Sequence, residues 1–354
     1  MKQKISCGIL DEIQEKNNLI KMKIFFRCRG GKFQGWGNVV RLARIAEHLH
    51  KKKIKVLFIY EGDNNLKKFL RKFKFKKVAF EEDISIKKEI SVLKKFGKPK
   101  FTFLEMLDAN LNLQYFYKSI SEKLVILDDL LDKVYISDYL ICCQSQNIKK
   151  KQILKDINTK IFIDSKYFPF NKNLLNNFKS SKLKKKISRV LVFLGGGNYE
   201  NALLKCAIAL KGFDFEKVKF VLPPNINSNL KKQLKNISKK YYFKNTIYDV
   251  KALFNDADLA IVSGGYTKLE AAIMRKPCIV IQTQWHQKNI SHSFAKKTGC
   301  PDLGHMSTLK IEKIIFEIKK LKSLSVRDKI LSKYKKVVSR NGINNILKEV
   351  GISA

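Results

Sequence analysis

The sequence predicts an α/β protein made of two Rossmann-like, doubly wound domains, each built on a parallel sheet. Three observations carry that expectation. Short apolar runs alternate with segments whose apolar residues recur at helical spacing, the pattern of strand–helix–strand units around a buried parallel sheet. Two such series occur, and each opens with a strand running into a glycine-rich turn and a helix. Between them, over residues 171–188, the chain turns polar and lysine-rich, as a linker does.

The first series begins with a strand over residues 23–27. A glycine-rich turn follows, from Gly30-Gly31 through Gly35-Trp36-Gly37-Asn38. Val39, Leu42, Ala43, Ala46 and Leu49 then fall on one face of an amphipathic helix. Further strands are expected over 55–60, 100–104, 124–127, 139–142 and 160–163, joined by right-handed crossovers. The second series starts with a strand over 190–194 and the turn Gly195-Gly196-Gly197-Asn198, and continues with strands over 218–222, 258–262 and 278–281. Residues 309–350 read as helices. The expected division is an extension over 1–21, a first domain over 22–170, the linker over 171–188, a second domain over 189–325 and C-terminal helices over 326–354. Two doubly wound domains place their ligand at the carboxyl ends of the strands, in the cleft between them.

Composition narrows the function classes. The 354 residues suit two ordinary domains, and 45% hydrophobic content supplies a packed core. No apolar run reaches the roughly 18 residues of a membrane span. The first twenty residues carry Asp11, Glu12 and Glu15 and lack an apolar signal-peptide core. Seven cysteines include the adjacent Cys142 and Cys143 but no C-x-x-C, which fits a reducing cytoplasm and cysteine used as a small apolar residue. The net charge is +41, yet only nine of the 72 basic residues are arginine. That skew reads first as lysine on tolerant surface positions encoded by an AT-rich genome. It reads second as attraction to an anionic membrane surface, and last as nucleic-acid binding, because no arginine–aromatic reading motif is present. A cytoplasmic location, peripheral at most to the inner membrane face, is expected, and no nucleic-acid partner.

The chemistry is concentrated in Ser263-Gly264-Gly265-Tyr266-Thr267-Lys268-Leu269-Glu270. A glycine turn between a buried strand and a helix gathers backbone N–H groups at one point, which suits a phosphate. Glu270 lies about one turn into the helix, where a carboxylate can accept hydrogen bonds from a ribose. A plain αβ turn explains the two glycines equally well when they stand alone.

As a set, the motifs resemble the GT-B glycosyltransferases. The set comprises the turn over 35–38 with Arg41, the Leu-Gly-Gly-Gly turn over 194–197, and the Ser-Gly-Gly-x-Thr-x-x-Glu stretch. Over residues 22–306 the chain looks like the nucleotide-sugar hydrolase family of pseudaminic acid biosynthesis, with Asp108, the Ile-Leu-Asp-Asp stretch at 126–129 and Lys166-Tyr167-Phe168-Pro169-Phe170 in order. Its second domain is also similar to the transferase family that adds N-acetylglucosamine to the peptidoglycan lipid intermediate. The resemblance implies that Glu270 holds the ribose of UDP. It implies that Ser263, Gly264, Gly265, Tyr266 and Thr267 hold the diphosphate, and that Gly195, Gly196 and Gly197 line the cleft. Gln287 and Asn289, following Trp285 and His286, match the segment that contacts the donor sugar, and His286 itself is a candidate contact. Gly35, Gly37 and Arg41 fall on the sugar and diphosphate side of the first domain. GT-B enzymes usually stabilise the leaving diphosphate with backbone and basic groups, so no obligatory metal and no cofactor beyond the UDP-sugar substrate are expected.

One position departs from the pattern. The family's Gly-x-Gly-His reads Gly35-Trp36-Gly37-Asn38, so a residue that cannot titrate replaces the catalytic histidine. Asn38 can orient by hydrogen bonds, and Asp108 and Asp129, each just past a strand, are the candidate bases. Carboxylates after strands also commonly cap the next helix. The leading expectation is a UDP-sugar hydrolase that cleaves the anomeric C–O bond of a UDP-linked amino sugar in surface-polysaccharide or nonulosonic acid biosynthesis. A glycosyltransferase acting on a sugar or lipid-linked acceptor is the alternative, and a catalytically silent nucleotide-sugar binder is the second.

Overall fold

The computed structural model describes residues 22–30, 36–81, 83–146, 148–176, 183–195, 197, 199–223, 227–244 and 250–353. The expected extension over 1–21, Gly35 and Gly196 lie outside the described residues. The chain divides into two compact units. The first holds the described residues through Cys143, then Ile148–Ile163 and the C-terminal segment from Asn341; the second holds Gln144, Ser145, Gln146 and Asp164–Arg340.

The first unit is a seven-stranded parallel sheet flanked by helices. Its elements are β1 (Lys23–Arg29), α1 (Gly37–Lys51), β2 (Lys55–Glu61), α2 (Asn64–Leu70), β3 (Lys76–Phe80), α3 (Ile86–Leu93), β4 (Phe101–Glu105), α4 (Leu111–Ile120), β5 (Lys123–Leu127), β6 (Tyr139–Cys142) and β7 (Lys160–Ile163), with strand order β3-β2-β1-β4-β5-β6-β7. The interior strands are buried on both faces, so they read as unbroken apolar runs. Phe26, Phe58 and Phe103 stack across β2, β1 and β4 with ring centroids 5.0–6.2 Å apart. Helices start where the sequence supplies an acceptor: Asp63, Ser85 and Asn110 each take a backbone N–H of the helix they precede. Helix α1 has no such cap, and Trp36 occupies that position.

The second unit repeats the plan with six parallel strands. After a short helix α5 (Lys172–Leu175) come β8 (Arg189–Phe193), α6 (Glu200–Lys211), β9 (Lys217–Val221), α7 (Ser228–Ile237), β10 (Tyr241–Lys244), α8 (Val250–Asn255), β11 (Leu259–Ser263), α9 (Thr267–Ile273), β12 (Cys278–Gln282), α10 (Gln287–Thr298) and β13 (Asp302–His305), in the order β10-β9-β8-β11-β12-β13. Helices α11 (Ile311–Leu321) and α12 (Leu324–Tyr334) follow, and α13 (Gly342–Glu349) belongs to the first unit. Arg327 of α12 is fully buried and donates to the backbone carbonyls of Lys184 and Lys185 at 2.8 and 2.7 Å. The lysine run at the end of the linker is thus tied down through its backbone. The six described cysteines are free thiols and all buried, Cys142 and Cys143 among them.

Candidate functional site

In the second sheet the chain winds from β8 toward β9 and β10 on one side, and from β11 toward β12 and β13 on the other. Loops leaving β8 and β11 therefore diverge, which opens a crevice at the carboxyl ends of these two strands. Both glycine turns of this unit sit there. Gly195 follows β8 with φ +99°, a backbone state that side chains rarely adopt, and a Cβ added to it would lie 4.0 Å from Ser263 Oγ across the switch point.

The turn after β11 is fixed from several sides. The Gly264 N–H donates to Ile281 O at 2.8 Å, extending the β11–β12 ladder by one rung. The Ser263 and Thr267 hydroxyls are 3.1 Å apart and hydrogen-bonded. A Cβ on Gly264 would overlap Ser291 Oγ and come within 2.9 Å of Gln287 Oε1, so only glycine fits. Gln287 is buried, and its Oε1 accepts the Thr283 N–H at 2.8 Å, pinning the β12–α10 loop beside the turn. Lys268, also buried, donates to Gln144 Oε1 at 2.6 Å, to Gly265 O at 2.8 Å and to Gly264 O. Glu270 is 9% exposed on the same helix. His286 and Asn289 are exposed, and the exposed Trp285 stacks on His305 with ring centroids 3.6 Å apart.

In the first unit the corresponding switch point lies between β1 and β4. Asn38 and Arg41, one turn apart on α1, fall on the same helix face. Arg41 is buried; its Nε meets Glu105 Oε1 at 2.7 Å and its Nη1 meets Asp129 Oδ2 at 2.5 Å. The other oxygen of Asp129 accepts the Cys143 N–H at 2.8 Å. Both oxygens of that carboxylate are engaged. Glu105 ends β4 with its Oε2 buried and without a hydrogen-bond partner among the described residues. Burial pushes its carboxyl up to about 8 against the pull of Arg41, and Asp129 adds to the rise. Asp108, in the turn after β4, pairs with Arg29 at the end of β1 and keeps 40% of its side chain exposed.

No protein-family model matches the chain. The spore coat polysaccharide biosynthesis protein SpsG of Bacillus subtilis is 24% identical over 303 residues, covering 83% of this chain and 87% of that protein. Among solved structures, MurG of Acinetobacter baumannii superposes with a TM-score of 0.67 at 10% identity, over 93% of this chain and 99% of that one. The fold is GT-B. Anabaena HepE, solved in complex with UDP and glucose, aligns with a TM-score of 0.61 at 14% identity, over 94% of this chain and all of that one.

On this GT-B framework the structure brings together Gly195, Ser263, Gly264, Gly265, Thr267 and Gln287 at one switch point. Gly197 lies in the β8–α6 turn, where a Cβ would run into the Tyr199 ring. The structure also joins Arg41 to Asp129, but with each other, in a buried ion pair. Asn38 and Gly37 start α1 at the β1 side of the first switch point, and Asp108 lies beyond the end of β4. Two residues at these sites are not marked by any of the motifs, Lys268 and Glu105. Glu105 closes an apolar strand, which the sequence does signal, whereas Lys268 stands among polar residues beside Glu270 and only its burial marks it.

Proposed function

We propose that the protein is a UDP-sugar-dependent enzyme that cleaves the anomeric C–O bond of a UDP-linked amino sugar with release of UDP. Water is the preferred acceptor in this reading. The observation that carries it is the pairing of two glycine turns at the second switch point, with Glu270 buried one turn beyond, in a GT-B fold. The backbone N–H groups of the Ser263–Thr267 turn hold the diphosphate and stabilise it as it leaves, which is the main catalytic contribution and needs no divalent ion. Glu270 takes the ribose hydroxyls, and the Gln287 loop faces the sugar. HepE, bound to UDP and glucose, and the polysaccharide role of SpsG support a nucleotide sugar as substrate and surface polysaccharide as the pathway's product.

Asn38 supports a second reading. It offers no proton acceptor, Asp129 is committed to Arg41 and Cys143, and Asp108 remains as the reachable carboxylate. A glycosyltransferase whose acceptor is a sugar or lipid-linked hydroxyl fits the same site, and the MurG-like fold is compatible with it. Phosphorus NMR of the protein with a panel of UDP-amino sugars separates the readings. Free UDP without any acceptor is expected for the hydrolase. Release only after membrane extract is added identifies the transferase, and binding without release in either case identifies a silent binder. Glu270→Ala is expected to weaken UDP binding at least tenfold; unchanged binding would remove the nucleotide from this site.

A further inference from the structure

Lys268 is 1% exposed, on the helix that directly follows the glycine turn. An ammonium has three N–H donors and no acceptor capacity. Three acceptors lie within its reach: Gly264 O, Gly265 O at 2.8 Å and Gln144 Oε1 at 2.6 Å. Two of them are successive carbonyls of the turn itself. In a trans peptide the C=O and N–H point to opposite sides of the chain. Holding the Gly264 and Gly265 carbonyls on the Lys268 side therefore turns the N–H groups of Gly265 and Tyr266 to the other side. Ser291 Oγ, 3.3 Å from Gly264 O, reinforces the same orientation.

Two consecutive glycines have little steric reason to keep one peptide orientation. A turn left to itself samples several, and a ligand would bear the cost of ordering it. A buried ammonium is an expensive way to fix a loop, because its desolvation costs several kcal/mol. A hydroxyl or amide would satisfy the same carbonyls more cheaply. The positive charge becomes useful if a polyanion arrives on the opposite face of those peptides.

We propose that Lys268 is the positioning residue of this turn, clamping the Gly264 and Gly265 carbonyls so that the N–H side of those two peptides faces a nucleotide diphosphate. The inference rests on the diphosphate reading of the turn. Titration calorimetry with uridine and with UDP, on wild type, Lys268→Met and Lys268→Arg, tests it. The ratio of the two affinities isolates what the diphosphate contributes. Lys268→Met is expected to lower UDP affinity at least tenfold while moving uridine affinity less than twofold, and Lys268→Arg to recover most of the loss. Equal losses for both ligands, or none, overturn the proposal. Should Lys268→Met fail to fold by circular dichroism, Lys268→Gln, which keeps a donor in similar volume, is read instead. Failure of both to fold also overturns it, since Lys268 would then hold the domain rather than the turn. A wild-type protein without UDP affinity sinks the diphosphate reading and the inference with it; UDP binding that survives Lys268→Met sinks the inference alone.

Discussion

At the scale of single residues, Arg41 faces two carboxylates with one positive charge. Glu105 and Asp129 both reach its guanidinium, Asp128 lies close enough to add repulsion, and the whole group is buried. A proton held on Glu105 would balance the charge, and its Oε2 is buried with no hydrogen-bond partner among the described residues. The consequence for stability has a definite sign. Between the ordinary value of 4.5 and the folded value of about 8, the unfolded chain has released the proton that the folded protein keeps. Unfolding free energy from this group therefore falls as pH rises through that window, and levels off above it. Glu105→Gln mimics the protonated form and has no such slope. Urea denaturation at pH 5 and pH 8 is expected to show the variant gaining on wild type at the higher pH; parallel curves would mean Glu105 is ionised throughout. The sequence offered Asp129 as a candidate base because a carboxylate after a strand can be either catalytic or structural. Its partner Arg41 is 88 positions earlier, a pairing visible only once the fold brings α1 beside the residues after β5.

Among the elements, the strands legible in the sequence are the apolar runs, most of them buried and β7 a half-exposed edge, and the described Gly195, Gly264 and Gly265 fall at the second switch point. The apolar pattern predicts no strand at β3, β10 or β13. All three are sheet edges, and their lysines, tyrosines and glycine break the apolar pattern because only part of each strand needs burial. Composition does not reveal how the last residues of the polar stretch over 171–188 are held. That depends on Arg327, 143 positions away from Lys184 along the chain, which caps two carbonyls from inside α12. Replacing it with Met keeps much of the volume and leaves both carbonyls without those donors. These bonds are part-buried, so the loss costs about 0.5–1.5 kcal/mol for each. Urea denaturation of Arg327→Met is expected to show a loss of that size, while Lys184→Ala and Lys185→Ala, which keep the carbonyls, stay near wild type. Comparable losses in all three would place the anchor in the lysine side chains.

For the whole molecule, the charge of +41 is spread over a surface whose scarce acids are shared. Asp256 serves Arg189, Lys217 and Lys219, Asp138 serves Lys118 and Lys123, and Asp214 serves Lys186 and Lys240. That dispersal agrees with lysine as a compositional habit, and its field still speeds the approach of a polyanion such as UDP. The proposed UDP groups, from Gly195 through the Ser263–Glu270 segment to Gln287, all lie in the second unit, whereas Asn38, Arg41, Asp108 and Asp129 lie in the first. Hydrogen exchange reads that division directly. UDP alone is expected to slow exchange at the amides of residues 263–270 and around Gly195, and to leave residues 36–43 and 105–130 unchanged. If Asn38 and Asp108 act at the sugar, a complete UDP-sugar adds protection at Asn38 and around Asp108. Equal protection of the first-unit turns by UDP alone would count against a role of Asn38 and Asp108 at the sugar.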